Sequence, residues 1–261
     1  MQSAAPNLTR TQLDFSKSCP GTERTDALRQ ATQVQRLLAS FVGTKSDKTT
    51  FISLGENCST AWYLKQLGLK KASFPFDWVF SSPEIILDCL ADRFAAFLDK
   101  TQIYASADGK SAGHARYHAN LFNHKNPLDS AEDYAYLSRC CQRFLSCAES
   151  NQNICYLITL INEPHKRPGW AEGFTHAFAM PERQSPGTVS HLVETLTGLN
   201  RNAKFIIIDH YTHSKNNVQG NVIDEHTLSL EFHAGGKSTG VFFPNHFDDF
   251  CFKQVLCGLF G

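Results

Sequence analysis

The stretch FISLGENCSTAWYLKQLG, residues 51–68, decides the fold class of this chain. Residues 51–54 are a short apolar run, residues 55–57 are turn formers, and apolar residues from Ser59 onward recur at helical spacing. A buried strand that passes through a tight turn into a helix is the first half of a βαβ unit. Cys58 lies where the predicted strand gives way to the predicted helix.

The same alternation continues along the chain. Further strands are predicted from apolar runs at residues 154–161, 205–208, 228–232 and 241–243. Helices are predicted at 59–69, from Pro83 behind a Ser82 cap, from Ser130, at 189–199 and at 248–259. Residues 100–129 and 163–186 are polar or contain Pro and Gly, so we predict loops there.

This pattern predicts an α/β fold, a three-layer sandwich with a mainly parallel sheet and helices on both faces. The runs at 51–54, 154–161 and 205–208 are expected to be adjacent and parallel. The predicted domain covers residues 49–261. Residues 1–48 are predicted to form an N-terminal tail and a helical appendage, because only 25–42 show helical spacing and 45–48 read as a linker.

Charge and composition exclude several classes of function. Lys+Arg and Asp+Glu both number 25 and the pI is about 7.1, which predicts no nucleic-acid partner and no membrane partner. No apolar run has the length of a transmembrane helix, and the first residues do not resemble a secretory signal. The nine cysteines contain no CxxC pair, which indicates reduced thiols and no cysteine-based zinc site. We therefore predict a cytoplasmic protein without metal or cofactor.

Polar residues follow three predicted strands at the edge where ligands of open parallel sheets bind. Asn57-Cys58 follows the first strand, Asn162-Glu163 the second, and Asp209-His210 the third. Because the carboxyl ends of parallel strands meet at one edge, we expect these residues to lie near one another. Asp209 and His210 are therefore candidates for substrate binding.

Cys58 is the best candidate for a nucleophile. At a helix start, unpaired backbone N–H groups lower the pKa of a thiol and can hold an oxyanion. The amide hydrogens of Cys58 and Ser59, together with the side chain of Asn57, are the predicted oxyanion donors. The alternative is a buried structural cysteine, which position alone supports equally well.

Two blocks of sequence resemble a mostly bacterial family of unknown function that is catalogued as papain-like cysteine peptidases. The first block is SLGENC at residues 53–58 with FPFDWVFSS at 74–82, and the second is FNH at 122–124 with RCCQRF at 139–144. The resemblance covers residues 50–160. It implies that Cys58 is the nucleophile and that His124 is the catalytic histidine. Lys125 stands where the resemblance leads us to expect an acid, and Cys140 replaces an arginine of the family pattern.

Together these observations predict a thiol-dependent hydrolase that acts by acyl transfer on a peptide or a small-molecule amide. We rank His124 first as the base, His246 second and His210 third, with Asp77 as the acid that orients the histidine. An ordinary structural histidine is the default interpretation of each. Trp78, beside Asp77, is a candidate for substrate binding.

Two other classes of function stay open. The first is a non-catalytic module that binds a nucleotide or a carbohydrate, with Phe76, Trp78 and Tyr211 as a sugar-binding face. The second is an esterase-like hydrolase that uses Cys58 with His246, because a late histidine before the last helix is the order found in such enzymes. The sequence does not indicate the substrate or the oligomeric state.

Overall fold

The computed structural model describes residues 20–43, 48–107, 109–163, 170–181 and 183–261. The strands, in chain order, are β1 (Thr50–Ser53), β2 (Ile103–Ala105), β3 (Ala112–His114), β4 (His118–Phe122), β5 (Ile154–Asn162), β6 (Ala203–Tyr211), β7 (Asn217–Val222) and β8 (Thr227–His233). The helices are α1 (Pro20–Val42), α2 (Ser59–Gln66), α3 (Pro83–Ala91), α4 (Ala131–Ala148), α5 (Ser190–Leu199) and α6 (His246–Leu256). Short 3-10 helices occur at His176–Phe178, Pro186–Val189 and Cys257–Phe260.

A five-stranded sheet with the order β1-β5-β6-β8-β7 is the centre of the fold. The pairs β1–β5, β5–β6 and β6–β8 are parallel, and only β7 runs antiparallel, at one edge. The predicted α/β class with a mainly parallel sheet is confirmed, as is the adjacency of the strands at 51–54, 154–161 and 205–208. The cap predicted at Ser82 is present, since its hydroxyl accepts a hydrogen bond from the first turn of α3. The helix predicted to open at Ser130 begins at Ala131, and the hydroxyl of Ser130 caps it in the same way.

Two local predictions were wrong, and one strand was missed. Residues 100–129 contain the antiparallel sheet β2-β3-β4 rather than a loop alone. Residues 241–243 form a bend and not a strand, and the edge strand β7 was not predicted. The missed strands are short or polar, so they carry no apolar run that sequence reading could detect.

Successive residues of the central strands enter two different hydrophobic clusters, as expected for a sheet that is buried on both faces. Tyr156 and Ile158 of β5 pack in one cluster with residues of α3, α4 and α5 and of the small sheet. Cys155 and Leu157 pack in the other with residues of α1, α2 and α6. This distribution supports the three-layer arrangement that we predict.

Helix α1 packs on the second of these clusters. Ala31, Val34 and Leu38 are buried against it, and Gln30 accepts a hydrogen bond from the backbone N–H of Val218 in β7. The helix predicted from spacing at 25–42 is therefore present and begins earlier. The division of the chain at residue 48 stays a prediction, and the tail at 1–19 and most of the linker lie outside the described residues.

None of the helices in the described ranges combines the length and the apolar composition that are needed to cross a membrane. The eight cysteines at described positions are all free thiols.

Candidate active site

The turn between β1 and α2 is built from buried hydrogen bonds. The hydroxyl of Ser81 donates to the carbonyl of Gly55 at 2.9 Å, and the carboxylate of Glu56 accepts from the N–H of Ile161 at 2.9 Å. The hydroxyl of Thr60 donates to that of Thr159 at 2.8 Å. These bonds tie the turn to β5 and to the segment before α3, so both of these parts of the fold fix the position of Cys58.

Cys58 is the N-cap residue of α2 and is only 5% exposed. Its Sγ lies 3.7 Å from Nε2 of His124, which is within hydrogen-bonding range for a sulfur. The thiol and this imidazole come from positions 66 residues apart. The histidine that we ranked first is therefore the one that contacts the predicted nucleophile.

His124 follows β4 and is held in place by the residues after it. The ammonium of Lys125 pairs with the carboxylate of Asp133 in α4 at 2.7 Å, and the N–H of Asn126 donates to the same carboxylate at 3.0 Å. The backbone N–H of Asp133 donates to the hydroxyl of Ser130, the N-cap residue of α4. Lys125, which stands where we expected an acid, thus anchors the loop that carries His124.

Burial raises the pKa of the Cys58 thiol to about 11, and the charge of Asp77 adds to this effect. The backbone N–H of Cys58 itself faces the sulfur and opposes the rise. We predicted a lowered pKa from the helix start, and this prediction was wrong. The helix has only eight residues, and the cost of desolvating a thiolate outweighs its N-terminal N–H groups. The thiol is therefore protonated at neutral pH and needs a base.

The predicted oxyanion donors have different environments. The N–H of Ser59 donates to Oδ1 of Asn57 at 3.0 Å, so it is already used. This bond also fixes the orientation of the Asn57 amide, with its oxygen toward Ser59. Of the predicted donors, the N–H of Cys58, which faces the sulfur, and the amide nitrogen of Asn57 are the two that the hydrogen bonds of the described residues do not assign to another side chain.

Asp77 does not contact His124 in the described part of the structure. Its carboxylate pairs with the ammonium of Lys70 at 2.6 Å and accepts from the N–H of Phe74 at 2.7 Å. Both members of the ion pair are buried, with side chains 9% and 2% exposed. Desolvation raises the pKa of Asp77, and Lys70 opposes this. The geometry therefore gives Asp77 a structural role in the loop before α3, in place of the orienting role that we predicted.

The other predicted site residues lie elsewhere. His246 is exposed at the first position of α6 and has no contact with Cys58 among the described residues. His210 is buried, with Nε2 3.9 Å from a carboxylate oxygen of Glu163 and its ring against Phe243. Asp209 accepts hydrogen bonds from Tyr211 and Asn162 on the opposite face of β6. The contacts given above for these three residues in the described ranges are to groups other than Cys58 and His124.

A cleft of about 410 Å³ opens beside this pair. Its lining residues in the described ranges are Asn57, Cys58, Phe80, Asn123, His124, Ile161, Trp170, Thr239, Gly240 and Val241. Sequence reading missed most of them, although Phe80 belongs to the block that carries the family resemblance. Trp78 lines a separate cavity of about 30 Å³ on another side of His124. A volume of this size is far too small for a ligand, so Trp78 packs beside the histidine and not in the cleft.

No group of three or more His, Cys, Asp or Glu side chains in the described ranges is arranged to hold a metal ion. The chemistry that the site can perform rests on a thiol, an imidazole and hydrogen-bond donors. Such a set is suited to nucleophilic attack on a carbonyl group.

The chain is similar to known proteins over parts of its length. A segment of 36 residues is 61% identical to an uncharacterized protein of Acanthamoeba polyphaga mimivirus, a match that covers 14% of this chain and 16% of that protein. No solved structure matches the chain. Residues 49–163, which include both Cys58 and His124, match the family described as "Putative papain-like cysteine peptidase".

Proposed function

We propose that this protein is a thiol-dependent hydrolase that cleaves a peptide or a related amide by acyl transfer through Cys58. The observation that carries the proposal is the 3.7 Å contact between the Cys58 sulfur and Nε2 of His124 beside an open cleft. A nucleophile and a base within hydrogen-bonding reach are the minimum for covalent catalysis, and such contacts are often longer without substrate.

The reaction follows from the groups present. His124 takes the thiol proton while the sulfur attacks the carbonyl carbon, and the new oxyanion is held by the N–H of Cys58 and the amide of Asn57. The C–N bond then breaks, and His124 returns the proton to the leaving amine. Water, activated by the same imidazole, releases the acid from the thioester and restores the thiol.

The raised pKa of Cys58 decides between two forms of this mechanism. A thiol with a pKa of about 11 is not a preformed thiolate at neutral pH. The proton therefore moves to His124 during the attack and not before it. The base is needed in the same step as the nucleophile, as in serine hydrolases.

The test is labelling with iodoacetamide at pH 7, read by mass spectrometry at each cysteine. Cys58 is expected to react faster than Cys251, whose pKa is also raised to about 11. The labelling rate of the same cysteines in the unfolded protein serves as the reference for an ordinary thiol. Labelling of Cys58 no faster than that of Cys251 would overturn the proposal and favour a binding module.

A further inference from the structure

The walls of the cleft beside Cys58 are largely apolar. Phe80 and Trp170 form a stacked pair, with ring centroids 6.0 Å apart and planes 9° from parallel. Ile161, at the end of β5, contributes a third apolar side chain, and Val241 contributes a fourth from the loop after β8. The residues from the described ranges that line the cleft include no Asp, Glu, Lys or Arg.

The loop that carries Val241 is fixed and not loosely placed. The hydroxyl of Thr239 accepts from the N–H groups of Val241 and Phe242 at 3.2 and 3.0 Å. The hydroxyl of Tyr63 accepts from the N–H of Phe243 at 3.0 Å and donates to Asp249 at 2.9 Å. Tyr63 belongs to α2, the helix that Cys58 caps, so the loop of Val241 and the proposed nucleophile are held by the same helix.

The aromatic wall is fixed as well. The ring of His118 lies against Phe80 with centroids 4.8 Å apart, and its Nε2 lies 2.9 Å from the carbonyl oxygen of Trp170. His118 thus joins β4, which leads to His124, to the segment that contains Trp170. A rigid apolar cleft that adjoins a nucleophile discriminates between substrates by the side chain that it encloses.

From this arrangement we propose that the cleft selects substrates with an apolar or aromatic side chain on the acyl group that Cys58 attacks. The inference rests on the proposed function and specifies its substrate class. An acyl group bound to the Cys58 sulfur must place its substituent beside that sulfur, where Phe80, Trp170 and Val241 form the walls. Burying an apolar substituent there removes it from water, whereas a charged one loses hydration without meeting an Asp, Glu, Lys or Arg among the described lining residues.

The experiment measures alkylation of Cys58 by N-acetyl aminoacyl chloromethyl ketones with glycine, phenylalanine, aspartate and lysine side chains. The sulfur forms a bond to the methylene carbon, chloride leaves, and His124 takes the thiol proton. Each rate is divided by the rate with free N-acetylcysteine, which removes differences in intrinsic reactivity. We expect the phenylalanine probe to react at least about tenfold faster than each of the other three.

Iodoacetamide, which carries no side chain, separates the two possible failures. If Cys58 reacts with iodoacetamide no faster than Cys251, the proposed function fails. If Cys58 is reactive but the four corrected rates agree within about twofold, the function stands and the selectivity is refuted. A preference for the aspartate or the lysine probe would refute it as well.

A pair of matched variants locates the selectivity. In Val241→Asp, the new carboxylate should lower the ratio of the phenylalanine to the lysine rate by about tenfold, because it attracts the ammonium. Val222→Asp makes the same change at an exposed valine of β7 and should leave the ratio as in the wild type. If Val241→Asp does not fold, Val241→Ala should lower the ratio of phenylalanine to glycine. An unchanged ratio in a folded Val241 variant would show that this wall does not select.

Discussion

Cys58 and Cys251 are both buried thiols, and desolvation raises the pKa of each to about 11. Each also lies near an aspartate whose charge adds to the rise, Asp77 for Cys58 and Asp248 for Cys251. They differ in their other neighbours. Cys58 has an imidazole at 3.7 Å and an open cleft, whereas Cys251 lies in the hydrophobic cluster between the sheet, α1 and α6. The pKa of the thiol therefore does not distinguish the proposed nucleophile from the other buried cysteine here, whereas the neighbouring imidazole and the cleft do.

The largest expected effect comes from removing the Cys58 thiol, and the matched control removes the Cys251 thiol. Cys58→Ala should lower amide hydrolysis by at least about 10⁴-fold, because the proposed mechanism forms the acyl intermediate on the Cys58 sulfur. Cys251→Ala should keep the activity of the wild type and lose only a little stability from the small cavity. Activity is followed with a fluorogenic peptide library, and folding by circular dichroism. Equal activity of the wild type and a folded Cys58→Ala variant would show that Cys58 is not the nucleophile and does not differ from Cys251 in function.

Removing the base should make Cys58 behave like Cys251. We expect His124→Ala to slow iodoacetamide labelling of Cys58 at pH 7 by about 10²-fold or more, since the thiol proton loses its acceptor. His246→Ala, at an exposed position without contact to Cys58, should change the rate less than twofold. The larger loss in His246→Ala would instead support the esterase-like pairing.

The pH dependence of the iodoacetamide labelling rate is an independent test of whether His124 takes the thiol proton. The pKa of Cys58 is raised, so the thiol is protonated below about pH 11 and anionic above it. Without His124 the labelling rate should therefore rise about tenfold per pH unit up to about pH 11. The ratio of the wild-type to the His124→Ala rate should be greatest near neutrality and fall as pH rises. A ratio that does not change with pH would show that His124 does not take the proton.

The two aspartates allow a test of what Asp77 does. Asp77→Asn leaves the ammonium of Lys70 buried without its counter-ion, and should lower the free energy of unfolding by about 3 kcal/mol or more. In Asp248→Asn, the lost carboxylate has neutral partners, the N–H groups of Gly235 and Gly236 and the amide of Asn216. We expect that loss to be smaller, about 1–3 kcal/mol.

Urea unfolding measures the free energy of unfolding of both aspartate variants. The labelling rate of Cys58 in folded Asp77→Asn should fall less than in His124→Ala. If instead the rate falls as far as in His124→Ala while stability is retained, Asp77 orients the histidine after all, as the sequence first suggested.

The parts of the fold that could be predicted are those that repeat a local pattern. The unbroken apolar runs in β5 and β6 identified buried parallel strands, and the serines before α3 and α4 identified helix starts. The strands β2, β3 and β4 could not be predicted, since each has three to five residues and no clear alternation. Their existence depends on packing against the helices that follow and precede them.

The candidate site shows the same limit. Cys58 could be identified from the strand-turn-helix pattern, and His124 from a sequence motif. Whether the pKa of the Cys58 thiol is raised or lowered could not be predicted. Burial decides that direction, and burial depends on segments distant in sequence. The stacking of Phe80 on Trp170 joins positions 90 residues apart, and no local pattern indicates it. The pairing of Asp77 with Lys70 was missed because residues 71–76 between them form no helix or strand whose spacing would indicate a contact.

The smallest expected effect concerns Gly55, where the turn before Cys58 leaves no room for a side chain. A Cβ at this position would lie 2.1 Å from the hydroxyl oxygen of Thr60, which is itself buried and bonded to Thr159. We expect Gly55→Ala to lower the free energy of unfolding by about 1–3 kcal/mol and to slow labelling of Cys58, because the turn must shift relative to His124. Gly198→Ala, in helix α5 with nothing within 4 Å of the new Cβ, should stabilise the protein by about 0.5–1 kcal/mol.

Cys251 distinguishes a local effect of Gly55→Ala from a global one. If only the turn moves, labelling of Cys58 falls while Cys251 stays protected, whereas general loosening of the fold would raise the labelling of Cys251. The double variant Gly55→Ala/Thr60→Ala removes the hydroxyl oxygen and leaves the Thr60 Cβ position 3.0 Å away, so it should recover part of the Cys58 rate. A Gly55→Ala protein with the stability and Cys58 reactivity of the wild type would show that the turn does not set the geometry of the thiol and the imidazole.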